Sequence, residues 1–341
     1  MVAVLQQTPD TAEKAALRNR RMTVRDAPQI ARWMVEDLPV PSPLAAALGG
    51  VLRDLLSEER LFGVCVEEAA SDQQFEPPSW RLAAFGISAF LTDHCVEAQL
   101  ADPIPYFAFH LLERSRRDIT TSGLLASREI AEANAGEGCN LFPFVWLQRP
   151  NDFSTPAGAQ LIARGMNLLL DDHKGYNLKR MIKEGSREQE QPFLKGGMKR
   201  LTSCWVENGA EREERILFGL TRDEARQEAF GTGIGLLFSH ARPRCGFTQK
   251  DQKVLQCAID DLADDEIAGH LNITPHGVNM RWRAIYARVQ QDSDIAALVF
   301  GNGWNPAEEK RRVAAPATQK RRRVVAYVRA HPEELRPYAW G

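Results

Sequence analysis

The sequence predicts a mixed α/β domain followed by a smaller all-α domain. Over residues 22–221, apolar and β-branched runs alternate with stretches whose apolar residues recur at helical spacing, which is typical of a sheet packed against helices. Over residues 248–289, apolar residues recur only at helical spacing, in three short segments. Basic residues cluster after these segments, although the whole chain has a net charge of only −2.

Length and composition fit a two-domain globular protein. The chain has 341 residues, of which 44% are hydrophobic and 26% are charged. No apolar run approaches the ~20 residues of a membrane helix, and the first residues lack the pattern of a signal peptide. We therefore expect a cytoplasmic protein without membrane contact. Its six cysteines form no Cys-x-x-Cys pair, so neither a metal site nor a disulfide framework is expected.

In the first half of the α/β domain, helix signals and strand signals alternate. Asp26 is an N-cap with Pro28 just inside the helix, where the missing N–H costs nothing. Residues 61–67 and 80–91 are β-branched and apolar. The polar segment 69–79 between them indicates an antiparallel hairpin with a wide loop.

In the second half, one helix and one hairpin carry the clearest signals. A helix over residues 159–172 would bring five apolar residues to one side, and an Asn-Gly pair at 208–209 marks a hairpin turn. The elements predicted in order are a strand and a helix at 22–34, a helix at 44–56, strands at 61–67 and 80–91, a helix at 104–116, a strand at 141–147, a helix at 159–172, a strand at 178–184, a helix at 188–195, and strands at 201–207 and 215–221.

The domain boundaries follow from these elements. The glycine-rich segment 231–235 opens no βαβ unit, so it is interpreted as linker or strand rather than as a dinucleotide loop. We expect a lead-in at 1–20, the α/β domain at 21–222, a linker at 223–246, the all-α domain at 247–300, and a basic helical extension at 301–341.

The all-α domain is predicted from its caps. Thr248 is an N-cap with Asp251 at N3, and Asp264 opens a second helix. Thr274 followed by Pro275 caps the third helix. Its buried stripe should consist of Val278, Trp282, Ile285 and Val289.

Charge is divided unequally among these helices. The third helix carries Arg281, Arg283 and Arg288 and no acid, whereas the first two are acidic around residues 260–266. Two helices joined by a short turn, the second of them basic, describe a helix-turn-helix whose second helix enters the major groove of DNA. The acidic face would then point away from the DNA.

This stretch resembles the LuxR/GerE-type helix-turn-helix of bacterial transcription regulators. The matching residues are Phe247-Thr248, Val254-Leu255, Asp265 to Ala268, Leu271 to Thr274, Val278, and Ile285 to Val289. Gly277 and Asn279 depart from the family, which usually has a hydroxyl residue and a phosphate-contacting lysine there. The alternative is an ordinary three-helix bundle that binds no DNA.

The resemblance implies double-stranded DNA as a partner and a homodimer that pairs two half-sites. His276, Asn279, Met280 and Arg283 are candidates for base edges. Thr274, Arg281 and Arg288 are candidates for backbone contacts. In the extension, Lys320, Arg321, Arg322 and Arg323 either contact phosphates or form a solvated helix face.

The α/β domain resembles the GNAT acyltransferase fold by its element order. The segments 24–31 and 193–198 also resemble family motifs. The family holds the pyrophosphate of acyl-coenzyme A on backbone N–H groups at a helix N-terminus. Here Pro156 lacks an N–H and Asp152 would repel phosphate. Phe193 replaces the general-acid tyrosine.

These departures lead us to predict a protein that catalyses no reaction. We expect a DNA-binding transcription regulator, not an enzyme, whose N-terminal domain dimerises or senses a small-molecule effector and needs no cofactor. The alternative is an acyl-CoA-dependent GNAT-type acyltransferase fused to a DNA-binding domain. Glu67 or Glu68 would then be candidate bases. Tyr106, Phe107, Phe109 and Trp146 are candidates to line a ligand cavity, or belong to the core.

Overall fold

The computed structural model describes residues 16–69, 79–208, 211–227, 231–301 and 317–340. Its strands are β1 (Leu17–Arg21), β2 (Phe62–Ala69), β3 (Trp80–Leu91), β4 (Cys139–Gln148), β5 (Leu178–Ser186), β6 (Lys199–Asn208) and β7 (Glu211–Thr221). Its α-helices are α1 (Ala27–Asp37), α2 (Ser42–Ser57), α3 (Asp93–Ala101), α4 (Phe107–Arg117), α5 (Ser127–Ala135), α6 (Pro156–His173), α7 (Glu190–Lys195), α8 (Arg222–Gln227), α9 (Gly233–Leu236), α10 (Gln249–Ile259), α11 (Asp264–Leu271), α12 (Pro275–Val289), α13 (Ser293–Phe300) and α14 (Ala317–Ala330).

The seven strands form one mixed sheet in the order β1-β2-β3-β4-β5-β7-β6. All neighbouring pairs are antiparallel except β4 and β5, which are parallel. A parallel pair needs a crossover, and α6 supplies it between these two strands. The mixed sheet with its helices fits a GNAT-like fold, so this part of the prediction is confirmed.

Alternating side chains of the strands feed two cores on opposite faces of the sheet. On one face, α1, α2 and α4 pack against Phe85 and Phe142. On the other, Leu161 of α6 packs against Val66 and Ala84, close to β1 and β2. Because successive residues of a strand point to opposite faces, β3 can serve both cores along a nearly continuous apolar run.

The helices α10 to α14 share a further core with the residues after them. Trp282 of α12 is 2% exposed and packs among apolar residues of all five helices, together with Leu335. The three helices predicted over residues 248–289 are therefore present, with Thr248 and Thr274 capping α10 and α12. These contacts do not by themselves identify a helix-turn-helix domain, and that assignment stays a prediction.

The tail after α14 joins this helical core to the α/β domain. Arg336 is 3% exposed and donates from Nε to the carbonyl oxygen of Lys174 at 2.9 Å and from Nη2 to that of Asp171 at 2.8 Å. These carbonyls lie at the C-terminal end of α6, where a cation is favoured by the helix dipole. Burial lowers the pKa of Arg336. The predicted basic extension thus contributes both the helix α14 and a buried arginine that is hydrogen-bonded to the end of α6.

Several local predictions are wrong. The end of the supposed lead-in forms β1, because residues 17–21 pair with the edge of β2. The helices α3 and α5 were not predicted; they are short and weakly amphipathic or polar. Residues 233–236 form a short helix capped by Thr232 rather than a strand. Residues 302–316 of the predicted basic extension and most of the loop predicted at 69–79 lie outside the described residues. No described helix is long and apolar enough to span a membrane.

Candidate functional site

The parallel strands at the centre of the sheet separate part-way along their length. Pairing joins residues 139–141 of β4 to residues 178–181 of β5. Beyond these pairs, β4 stays hydrogen-bonded to β3 and β5 to β7. A cavity of about 740 Å³ lies at the opening, with Phe144, Val145 and Trp146 of β4 on one side and Lys183, Glu184 and Ser186 of β5 on the other. This volume is typical of small-molecule sites.

A β-bulge shapes the β4 side of the opening. Val145 pairs with Ile87 and Pro143 with Ser88, so Phe144 is an extra residue on β4. Its carbonyl oxygen accepts a hydrogen bond of 3.0 Å from Nζ of Lys183, which reaches across the gap. The bulge thus directs a backbone carbonyl away from the β3 ladder and toward the cavity.

Lys183 has unusual electrostatics for a lysine. Removal from water lowers its pKa to about 8, against the opposing charge of the neighbouring Glu184. A neutral amine at this position still donates to the Phe144 carbonyl and retains a lone pair. Lys183 can therefore accept a proton at mildly alkaline pH.

Glu184 connects β5 to the start of α4. Its side chain is 9% exposed, and its two oxygens accept hydrogen bonds from the backbone N–H groups of Tyr106 at 2.6 Å and Phe107 at 2.8 Å. These amides begin α4, where a carboxylate is favoured by the helix dipole. Nε of Arg215 donates to the same carboxylate at 3.2 Å. Glu184 is fully engaged, so its role is positional.

Tyr106 and Glu213 extend this network along the cavity wall. Tyr106 has a φ of 54°, an uncommon left-handed conformation for a tyrosine. Its hydroxyl donates to Glu213 at 2.8 Å, and Nη1 of Arg215 donates to Glu213 at 2.8 Å. Although desolvation opposes the shift, these bonds lower the pKa of Glu213. Arg215 also lies 4.8 Å from the centre of the Tyr106 ring, so this side of the cavity is rigidly held.

Three of the four residues predicted to line a cavity do so. Tyr106, Phe109 and Trp146 contribute to its wall. Phe107 does not: it is 2% exposed and packs on Phe142, with ring centres 5.3 Å apart. Tyr106, in its left-handed conformation, is the residue just before α4. Phe107 is the first residue of the helix, and its side chain is directed into the core.

The charged residues of the cavity were missed in the sequence. Lys183 and Glu184 end the strand predicted at 178–184, and Arg215 opens the strand predicted at 215–221. In the structure both strands extend further, and Glu184 and Arg215 lie within them. The available signal was their position, because charged side chains at the end of a central parallel strand are uncommon unless paired or functional.

The other candidate catalytic positions are occupied by structural contacts. Glu67 is 7% exposed and forms ion pairs with Arg18 at 2.7 Å and Arg20 at 2.8 Å. Glu68 pairs with Arg81 at 2.8 Å. Phe193 packs on Phe218, with ring centres 5.0 Å apart. Neither glutamate lies on the cavity wall, so Glu67 and Glu68 are not supported as bases.

The N-terminus of α6 does not fit a pyrophosphate group. Pro156 has no N–H, and the amide of Gly158 donates to Oγ1 of the capping Thr155 at 3.1 Å. The amide of Ser154 donates to Oδ1 of Asp152 at 2.9 Å. A carboxylate and a hydroxyl of the chain itself therefore accept hydrogen bonds from two amides at this helix start, those of Ser154 and Gly158. The fit of coenzyme A to this loop, as expected for the fold, is not supported.

The residues predicted to contact DNA lie on or next to α12 and on α14, and only some of them are exposed. On α12, the exposed residues are His276, Asn279, Met280 and Arg283, with Thr274 exposed just before the helix. Arg288 instead binds the buried Asp251 at 3.1 Å and the carbonyl of Gly246 at 2.8 Å. Arg281 is partly buried, 4.0 Å from Asp251.

In α14, the basic run is divided in the same way. Arg321 pairs with Asp264 at 2.6 Å and stacks on Trp282 at 4.5 Å. Arg322 and Arg323 are exposed, and Arg323 donates to the carbonyl of Phe300. Lys320 is partly buried. Among the described residues no cluster of three or more His, Cys, Asp or Glu could hold a metal ion.

No family model matches the chain, and no curated protein matches it. Several solved structures do match part of the chain. Arabidopsis thaliana NAA60 in complex with acetyl-CoA is 9% identical and matches over 60% of this chain and 98% of its own, with a TM-score of 0.36. The ribosomal-protein-S18-alanine N-acetyltransferase of Escherichia coli is 10% identical, over 60% and 94%, with a TM-score of 0.33.

FeeM, an N-acyl amino acid synthase from uncultured soil microbes, is 10% identical over 62% of this chain and 95% of its own, with a TM-score of 0.34. At these identities and scores the likeness carries no statement about substrate.

Two predictions are corrected by this finding. The matched structures include an N-acetyltransferase and an N-acyl amino acid synthase, which stands against the predictions that the chain is not an enzyme and that it is a LuxR-type transcription regulator. Nothing in the comparisons shows a LuxR/GerE-type helix-turn-helix.

Proposed function

We propose that the α/β domain transfers an acyl group from a thioester to an amine inside the cavity between β4 and β5. The observation that carries this proposal is the separation of the two parallel strands. It opens a cavity of about 740 Å³ beside a proton-accepting amine with a pKa of about 8.

The cavity offers distinct surfaces for the two reactants. Met34, Leu38 and Phe109 supply an apolar wall that suits an acyl chain. At another part of the lining, Arg212 stacks on Trp205, which is 47% exposed, with 4.9 Å between guanidinium and ring centre. An acceptor can enter past these exposed groups while the acyl chain is shielded from water.

Lys183 is assigned as the base. Of the ionisable cavity residues that the structure describes, it is the one whose pKa is moved to near neutrality. The acceptor loses a proton to Lys183 as its nitrogen attacks the thioester carbonyl carbon. The carbon–sulfur bond then breaks, and the leaving thiolate takes the proton back from Lys183. Such proton transfer contributes typically 10²–10⁴-fold to a rate.

The test measures acyl transfer by the full chain. Purified protein is incubated with acetyl thioesters and a panel of amines, and product is detected by mass spectrometry together with released thiol. Lys183→Met should lower kcat/KM by about 100-fold or more. Lys179→Met is the matched control, because Lys179 lies on the same strand and pairs with the exposed Asp93 at 2.9 Å.

Two results would count against this function. Absence of product with every thioester and amine would remove acyl transfer. Equal turnover by wild type and Lys183→Met would remove Lys183 as the base.

Double-stranded DNA and a second copy of the chain remain candidate partners of the C-terminal helices, without an assigned regulatory role. The observation that favours DNA is the exposed row formed by His276, Asn279, Met280 and Arg283 on α12. Selection of bound sequences from a random DNA pool tests this directly. A pool that is not enriched would exclude a sequence-specific site.

A further inference from the structure

The loop of residues 149–155 covers the N-terminus of α6. The amide of Thr155 faces the carbonyl oxygen of Asp152 at 3.4 Å, and Oγ1 of Thr155 donates to the same oxygen at 2.8 Å. A Cβ added to Gly158 would overlap that carbonyl. The loop therefore packs directly on the first turn of the helix.

The charges of this loop also oppose a phosphate. Arg149 is its one basic residue, and it is paired with Glu36 at 2.6 Å and with Asp37 at 3.0 Å. It also stacks on Trp33 at 4.2 Å. Hydrogen bonds from Ser154 lower the pKa of Asp152, which is therefore ionised at neutral pH. The one arginine of the loop is thus already paired with carboxylates, and the loop itself adds the negative charge of Asp152.

We propose that the acyl donor is a thioester whose arm carries no pyrophosphate, and that Asp152 is the residue that excludes one. This rests on the proposed acyl transfer and names its donor class. The arm is pantetheine-like and comes either free or attached through a phosphate to a carrier protein. The cavity remains open to such an arm, because β4 and β5 keep unpaired backbone edges beyond residues 141 and 181.

Binding is measured separately from turnover. The full chain is titrated by calorimetry with the S-ethyl thioethers of pantetheine and of coenzyme A, which cannot react. The pantetheine thioether should bind at least as tightly as the coenzyme A thioether. A working anion site would instead favour coenzyme A by about tenfold or more, the usual value of one charge-assisted hydrogen bond.

Asp152→Ala removes the carboxylate and frees the amide of Ser154. It should raise the affinity for the coenzyme A thioether several-fold and leave the affinity for the pantetheine thioether unchanged. Asp118→Ala is the matched control. Asp118 makes the same turn with Thr120, through bonds of 2.9 and 2.7 Å, at the far end of α4. It should change neither affinity.

Each outcome decides one of the two proposals. Tighter binding of the coenzyme A thioether by wild type, or binding of neither compound, overturns the donor class. An unchanged preference in Asp152→Ala overturns the role of Asp152. If the thioethers bind as expected but neither acetyl-pantetheine nor an acylated carrier protein is consumed, the donor site stands and acyl transfer fails. Turnover of the carrier-bound form alone identifies that source of the arm.

Discussion

Two helices of this protein begin with the same four-residue pattern. Residues 155–158 read Thr-Pro-Ala-Gly and start α6, and residues 274–277 read Thr-Pro-His-Gly and start α12. In both, the threonine hydroxyl accepts the amide of the glycine, at 3.1 Å in α6 and 3.0 Å in α12. The local capping chemistry is identical.

The chain before each cap differs. Before α6, the loop folds back, so the carbonyl of Asp152 lies against Gly158. Before α12, the nearest atoms to a Cβ on Gly277 would be Oγ1 of Thr274 at 3.4 Å and Cβ of Ile273 at 3.7 Å. The first helix end is covered and the second is open. A capping pattern therefore locates a helix start but does not decide whether that start can bind an anion.

The largest expected effect comes from adding a methyl group at each glycine. Gly158→Ala forces the loop away from α6 and should destabilise the protein by roughly 2–3 kcal/mol, because a backbone carbonyl must move. Gly277→Ala meets only ordinary contacts and should stabilise the protein by up to about 1 kcal/mol through helix propensity. Urea unfolding of both variants measures the difference. Equal effects would show that the α6 start is as open as that of α12.

Two arginines of α12, Arg283 and Arg288, differ in burial and pairing. Asp251 is 1% exposed, and its Oδ1 has no hydrogen-bond partner among the described residues. Its Oδ2 accepts hydrogen bonds from the backbone N–H and hydroxyl of Thr248 and from Arg288, whose guanidinium lies 3.1 Å away and brings a positive charge to the buried carboxylate. Arg288→Ala should therefore cost about 2 kcal/mol of stability or more. Arg283→Ala should leave stability unchanged within about 0.5 kcal/mol.

The same two variants, Arg283→Ala and Arg288→Ala, also test DNA as a candidate partner. If Arg283 makes a bidentate base contact, Arg283→Ala should weaken specific DNA binding by roughly 1–3 kcal/mol. Quantitative footprinting on a selected sequence provides the readout. A footprint unchanged in position and affinity would remove Arg283 from the interface, and a stable Arg288→Ala variant would show that its bond to Asp251 is dispensable.

The smallest expected loss of stability comes from removing the N-cap side chains of α6 and α12. Thr155→Ala and Thr274→Ala each remove one N-cap and should each cost about 1 kcal/mol. Thr155 also donates to Asp152, so its loss should additionally loosen the loop and increase its amide hydrogen exchange. Exchange around residues 149–155 that stays unchanged in Thr155→Ala would argue that other contacts close the loop.

Local signals in the sequence predicted much of the fold. Hydrophobic periodicity and caps located all but the first strand of the sheet, and the helices α10 to α12 start at the predicted Thr248, Asp264 and Thr274–Pro275 signals. These features depend on neighbours along the chain. The strand β1 was missed because its polar sequence is held by pairing with β2, a contact that no local pattern records.

The site was predicted less well, for the same reason. The reach of Lys183 to the carbonyl of Phe144 depends on a bulge and on strand separation. Pro143 was an available signal for the bulge, since a proline inside a central strand favours one, but residues 141–147 were simply interpreted as a strand. The strand separation has no such local signal. Pro156 and Asp152 already led the sequence analysis to doubt a pyrophosphate site at α6, and that prediction remains to be tested. The conclusion that the domain lacks catalysis did not follow, since a cavity can retain its proton acceptor while changing its donor.

The most direct measurement is the pH dependence of kcat/KM for acetyl transfer from acetyl-pantetheine. Lys183 acts as a base only when neutral, so activity should rise with pH and level off above a pKa of about 8. Residual activity of Lys183→Met should lack this rise. A wild-type profile that is flat through pH 8, or a rise that persists unchanged in Lys183→Met, would contradict acyl transfer driven by Lys183 in the cavity between β4 and β5.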